Sequence, residues 1–298
     1  MGNSGQFTEA NAARALTEAC KQTHLEATST ELLRLGENAL YTLPKEGLVV
    51  RIARSVDLRE RVQRELDVAR WLARLGFPAT RVAERVRQPV EVRGRLVTFW
   101  ELVHLDPDTV ASLDDLGRML RDLHNLPSPP FTLPRFDPFS VVTRRLAAPG
   151  MADPADVVFL RALHEQLVGT YASLRFPRDF GLIHGDAHRG NLLVCSDGVL
   201  LSDFEVVAFG PRVWDLTVTA LAQDRFGVSS EEYQSFVKAY GYDVTEWDGY
   251  EALRTVRELT MTTWLMQNVG ESQRIADEFR VRVSSLREGE HERRWRAF

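Results

Sequence analysis

The 298 residues predict an α+β chain in two parts. Short β-type apolar runs crowd the stretch before residue 104, with a helical pattern among them. After the turn signal Asp106-Pro107-Asp108, long amphipathic helices dominate. A small mixed part (1–103), a hinge near 101–108 and a larger helical part (104–298) make two lobes rather than a series of βαβ units.

The elements follow in order. Residues 8–23 read as an N-terminal helix, with Thr8 as cap and Glu9 in the first turn. Short apolar runs flank Gly36, and 47–54 (GLVVRIAR) is a strand continuous in Val and Ile. Asp57 can cap a helix running to about Leu75, with Leu58, Val62, Leu66, Ala69 and Leu72 on one face; Gly76 ends it and Pro78 follows. Residues 81–92 and 95–103 read as two more strands joined around Arg93-Gly94. Past the hinge, 111–126 is an amphipathic helix stopped by a proline-rich loop. Helices are expected at 154–174, 213–226, 230–240, 248–268 and 271–287, with short strands around 181–184, 191–195 and 199–203.

Composition narrows the class. At 44% hydrophobic the chain can bury a large core in one or two domains. No apolar run approaches the ~18 residues of a membrane span. The N-terminus shows no apolar signal core and no basic leader, and Gln6 stands where a Met1-Gly2 myristoylation motif wants Ser or Thr. A cytoplasmic protein with no membrane partner is the expectation. Cys20 and Cys195 are far apart in no metal-ligand pattern, so both read as reduced, inert thiols. The net charge of −5 is uneven: residues 1–103 carry 16 Lys and Arg against 13 Asp and Glu, residues 104–298 carry 21 against 29. A basic front half suits a polyphosphate; an acidic back half suits a cationic ligand and disfavours nucleic acid. Ordinary solubility charge accounts for the same numbers.

The most informative stretch is LIHGDAHRGNLLV followed by LSDFE, residues 182–205. It sets Asn191 five residues after Asp186 and Asp203 behind an apolar run. Magnesium-dependent phosphoryl transfer uses that order: an Asp takes the acceptor hydroxyl proton, and an Asn and a second Asp hold the metal. Both are oxygen ligands, as hard cations require. Singly, each of the three is equally an ordinary turn residue; the spacing is what carries the chemistry.

At these residues the chain resembles the aminoglycoside phosphotransferase family, a branch of the protein-kinase-like fold. The HGDxHxxN motif reads His184-Gly185-Asp186-Ala187-His188-Arg189-Gly190-Asn191, and the second metal motif reads Asp203-Phe204-Glu205. The resemblance implies a bilobal protein-kinase-like fold with a nucleotide-binding N-lobe, and an ATP- and Mg2+-dependent O-phosphotransferase with GTP as a possible substitute donor. The implied acceptor is a hydroxyl of a small molecule, a cationic antibiotic such as an aminoglycoside or a basic peptide leading. Kinases of homoserine, choline or a sugar, or a nucleotide-binding pseudokinase, are the alternatives. Asp186 is then the catalytic base, Asn191 and Asp203 the metal ligands, and His184 a packing residue under the loop. Asp215 braces the metal loop or caps a helix. Glu205 in place of Gly argues against a protein kinase.

The nucleotide side is read residue by residue. Gly36-Glu37-Asn38 between two strands is the phosphate-covering loop, with Gly36 and Asn38 as contacts. Arg51 stands where protein kinases place a phosphate-binding Lys, and Arg also contacts phosphate bidentately. Glu65 is its expected ion-pair partner and Glu60 the competitor. Glu101, Leu102 and Val103 form the hinge offering backbone groups to adenine. Acceptor-side candidates are Asp224, Glu231, Glu232, Glu271, Asp277 and Glu278, with the C-terminal carboxylate.

Overall fold

The structure is a computed structural model that describes residues 7–177 and 180–298. The reading of Met1-Gly2 and Gln6 lies outside these residues. The chain forms α1 (Glu9–Thr23), β1 (Glu31–Leu35), β2 (Asn38–Leu43), β3 (Leu48–Ala53), α2 (Arg59–Arg74), β4 (Val90–Val92) and β5 (Arg95–Glu101). There follow α3 (Leu113–His124), α4 (Ser140–Ala147), α5 (Pro154–Ser173), β6 (Phe180–Ile183), β7 (Leu192–Cys195), β8 (Gly198–Leu201) and β9 (Ala208–Pro211). The helices α6 (Val213–Phe226), α7 (Ser230–Tyr240), α8 (Tyr250–Gln267) and α9 (Gln273–Glu288) complete it. It divides into two compact units, one of residues 1–111 with 190–207 and one of 112–189 with 208–298.

The first unit holds an antiparallel five-stranded sheet in the order β1-β2-β3-β5-β4, and the β7-β8 hairpin. Thr8 caps α1, its hydroxyl accepting the Asn11 N–H at 3.3 Å. Ala12, Ala15, Leu16 and Ala19 of that helix share one core with Val50, Ile52, Val97 and Phe99 of the sheet. Small alanines let the helix lie close, and each buried large side chain contributes about 1.5–3 kcal/mol. Two expectations are corrected here. Asp57 does not cap α2; Ser55, in an extended conformation, accepts the Asp57 N–H at 3.1 Å and starts a 3-10 turn ahead of the helix. Of the strand expected over 81–92 only Val90–Val92 is regular. Before it the Gln88 side chain takes the place of a ladder, donating to the carbonyls of Ala83 (3.0 Å) and Phe99 (3.1 Å) and accepting the Phe99 N–H (2.7 Å).

The second unit is helical around the two-stranded β6-β9 sheet. Capping boxes start α3 at Ser112 with Asp115 and α7 at Ser229 with Glu232. The helices α4 and strand β9 were not expected from the sequence; the rest fall within a few residues of their expected spans. Among the described residues no helix is long and apolar enough to cross a membrane. Burial pushes the Cys20 thiol up to about 11, in keeping with an inert thiol.

Candidate functional site

In the first unit Glu65 and Asp203 meet at Arg51. On β3 it lies on the face opposite Val50 and Ile52, because side chains alternate along a strand. Its Nη1 donates to Glu65 Oε1 at 2.5 Å, and its Nη2 lies 3.7 Å from the Asp203 carboxylate. Glu65 comes from the middle of α2 and is 3% exposed. Burial pushes its carboxyl above the ordinary Glu value, and Arg51 opposes the rise. The competitor Glu60 is exposed.

Glu205 joins this group. Its carboxylate accepts from the Asn38 side chain at the start of β2 and pairs with Arg51 and Arg61, while Arg64 donates to its backbone carbonyl at 3.3 Å. Asn38, Arg51, Arg61, Glu65 and Glu205 line a small cavity of ≈ 10 Å³, about the room of one water. Gly36 sits in the tight turn before β2, its carbonyl held by Arg54 at 2.8 Å. Asp203 has a φ of +66°, a left-handed backbone that a non-glycine residue rarely adopts, and its side chain is 43% exposed. Strain of that kind collects at working sites. Next to it, Ser202 gives both its N–H and its hydroxyl, each at 2.9 Å, to the carbonyl of Asn191, whose side chain is buried. At the end of β5, the Glu101 N–H goes to Arg81 (2.8 Å) and the Leu102 N–H to Gly47 (2.9 Å). Among the described residues the Val103 N–H makes no hydrogen bond.

The second unit holds Asp186, in the loop that leaves β6. Gly185 has a φ of +86°, which only glycine takes without strain, and this turns the chain sharply ahead of Asp186. Asp215, fully buried in the first turn of α6, accepts the backbone N–H of His184 at 2.7 Å and of Gly185 at 2.8 Å. It also meets His124 Nε2 at 3.0 Å. Burial would raise the Asp215 carboxyl, but the hydrogen bonds from His124 and from the His184 backbone hold it below the ordinary Asp value. Trp214 Nε1 and Arg257 Nη1 donate to the Gly185 carbonyl, at 2.8 and 3.2 Å. The Asp186 side chain is 48% exposed, pairs with Arg257 and lies 3.8 Å from His188 Nε2. Burial pushes its carboxyl up; Arg257, His188 and His184 outweigh that and leave it below the ordinary Asp value. His184 is fully buried under the loop, as a packing residue should be.

Most acidic acceptor candidates are already engaged. Glu278 is buried against Arg282 at 2.9 Å, Asp224 pairs with Arg254 at 3.1 Å, and Asp277 with Arg280 at 2.6 Å. Glu232 caps α7 and lies 3.2 Å from Arg189. Four residues of these clusters were not singled out from sequence in these roles: Arg61, Glu205 as a hub, His124 and Arg257. Arg61 had a signal, standing one helical turn before Glu65 on α2. Arg257 had none, since α8 follows the motif by more than fifty residues.

A small antiparallel sheet in one unit and, in the other, helices with a His-Gly-Asp loop are the parts found in phosphotransferases of the kinase-like fold. The chain belongs to the phosphotransferase enzyme family APH, which matches residues 29–254. It is 26% identical over 174 residues to stress response kinase A of Shigella flexneri, covering 55% of this chain and 52% of that protein. The chain thus spans about half the length of the curated relatives it matches. Among solved structures it is similar to a microcompartment-associated aminopropanol kinase (22% identity, TM-score 0.71, 94% of this chain and 98% of that one). It is also similar to the amicoumacin kinase hAmiN in complex with AMP-PNP, Ca2+ and Ami (17% identity, TM-score 0.68, 93% of each chain). At such identities the likeness carries the fold.

Proposed function

We propose that this phosphotransferase moves the terminal phosphoryl group of ATP, or of GTP in its place, to a hydroxyl of a small cationic molecule in the cytoplasm. The observation that supports it most is the state of Asp186: half exposed, its carboxylate held in the charged form by Arg257, on a loop whose backbone is fixed by Asp215. Such a group takes a hydrogen bond from an acceptor hydroxyl and orients its oxygen for attack, then receives its proton as the new P–O bond forms and the bond from the terminal phosphorus to the bridging oxygen breaks, releasing the nucleoside diphosphate.

Asn191 and Asp203 are assigned to Mg2+. Among the described residues no three His, Cys, Asp or Glu side chains gather as a metal cluster. One carboxylate and one amide oxygen still fit this ion, which favours one or two carboxylates completed by substrate phosphates. When bound, the ion neutralises charge on the phosphates. Arg51, positioned by Glu65, is assigned to the phosphates, with Gly36 in the turn before β2 and Asn38 at the start of β2 covering them. The Glu101–Val103 segment is assigned to adenine, for which the Val103 N–H is a ready donor.

The acceptor class rests on the acidic excess of residues 104–298, 29 Asp and Glu against 21 Lys and Arg. Both an antibiotic carrying amines and a small amino alcohol satisfy it, and the likeness to an aminopropanol kinase keeps the second in view. A panel of hydroxylated amines incubated with labelled ATP and Mg2+ tests the assignment. Label transferred only to neutral or anionic compounds would remove the cationic reading; no transfer to any compound would remove the activity.

A further inference from the structure

A buried hydrogen-bond chain runs behind the Asp186 loop. Tyr240, the last residue of α7, meets His124 Nδ1 at 2.9 Å, and His124 Nε2 meets Asp215 Oδ2 at 3.0 Å. That carboxylate in turn takes the N–H groups of His184 and Gly185. His124 is 3% exposed and closes α3; Asp215 opens α6. A carboxylate only accepts, so His124 Nε2 carries the proton, and in the neutral ring Nδ1 accepts from the Tyr240 hydroxyl. Three helices therefore meet at the two peptide groups immediately before Asp186.

The arrangement exceeds what packing α3 on α7 requires. That contact already rests on the buried Leu116, Leu120, Phe236 and Ala239, and on Gly117, where an added Cβ would stand 2.6 Å from the Phe236 carbonyl oxygen. The imidazole adds direction: it fixes which way the Asp215 carboxylate faces, and hence where the loop backbone stands. Small misplacement of a reacting group costs rate far more than it costs stability.

We propose that His124 is a positioning residue for phosphoryl transfer, holding Asp215 so that the backbone of His184 and Gly185 presents Asp186 to the acceptor. The proposal rests on the assignment of Asp186 above. Its test compares wild type, His124→Gln, whose side-chain amide can still donate to Asp215, and His124→Leu, which cannot. Two quantities are read: hydrogen exchange of the 182–187 segment, and turnover of Mg·ATP together with its KM. His124→Leu should speed exchange of that segment by about ten-fold or more and lower kcat by a similar factor with the KM for ATP unchanged, since a hydrogen bond to a charged group is lost. His124→Gln should restore most of both. Wild-type kcat in His124→Leu, or unchanged exchange of the segment, would overturn the proposal. So would faster exchange throughout the second unit in both variants, because His124 would then only hold the fold. A wild-type enzyme that turns over no Mg·ATP removes the Asp186 assignment itself, and that failure is visible without any variant.

Discussion

Arg257 and Asp186 form an ion pair in which the guanidinium is buried and the carboxylate is half exposed. The same guanidinium holds the Gly185 carbonyl and lies over the Trp214 ring, 5.0 Å from its centre. One fixed cation therefore sets both the charge and the direction of the carboxylate.

Replacing Arg257 by Gln should move the acid limb of the turnover profile to higher pH. Asp186 is held below its ordinary value despite its partial burial, chiefly by Arg257. Its charged form is thus favoured above the ordinary Asp value and lost as pH falls through the depressed one. Without the cation that loss begins at higher pH. Turnover measured against pH checks this, and an acid limb in the same place would show that Arg257 only packs.

Asp186→Ala should lower phosphoryl transfer by ~10²–10⁴ while nucleotide affinity stays within a few fold. Turnover on a verified acceptor and calorimetry with ATP read the two effects separately. Near-wild-type turnover would end the catalytic role.

Asp203→Asn should weaken Mg·ATP binding more than Asn191→Ala, because it removes a charge and not only an oxygen. Asn is the cleaner substitution at 203, since it tolerates the φ of +66° found there. Titrating ATP with and without Mg2+ tests the ranking; an unchanged metal dependence in Asp203→Asn would contradict the assignment.

Asp215→Asn should cost about 1.5–3 kcal/mol at neutral pH, the value of hydrogen bonds to a charged group. Asp215 is depressed in the folded state, so its contribution is complete above the ordinary Asp value and fades as pH falls through the folded one. Denaturant midpoints of the variant and the wild type should therefore converge in acid. A gap that stays constant down to the acid limit would mean that shape, and not charge, is what Asp215 supplies.

For the acceptor, KM should climb with ionic strength while the KM for ATP does not follow in parallel, as screening weakens attraction to the acidic excess of residues 104–298. A salt-insensitive KM on the best substrate would make the charge excess of residues 104–298 a surface property only.

Most of the fold was legible because its elements announce themselves locally. The Val and Ile run of β3, the Thr8 cap of α1 and Gly76 behind α2 each carry their own signal. The missed pieces are set from a distance. Gln88 replaces a strand ladder by bonding residues up to eleven positions away, and β9 exists because β6 offers it a partner. The site divides the same way. Asp186, Asn191 and Asp203 are readable from spacing, and Arg51 with Glu65 from a strand followed by a helix. Arg257 lies 71 residues from its partner Asp186 and His124 lies 91 from its partner Asp215, and no pattern in a single chain links residues so far apart.

The Glu205 hub makes the cluster assigned above to the nucleotide electrically self-contained. Arg51, Arg61 and Arg64 are matched there by Glu65, Asp203 and Glu205, three cations by three anions. A triphosphate arriving alone finds no net positive field to enter, and each phosphate contact with Arg51 competes with a carboxylate already in place. The ion that accompanies the nucleotide is then the surplus positive charge that the cluster lacks. Discrimination between bare and metal-bound nucleotide would come from this neutrality, and Glu205→Gln, by leaving one arginine unmatched, should raise the affinity for ATP in the presence of a chelator. Unchanged or weaker binding would show that the balance of charges does not govern entry.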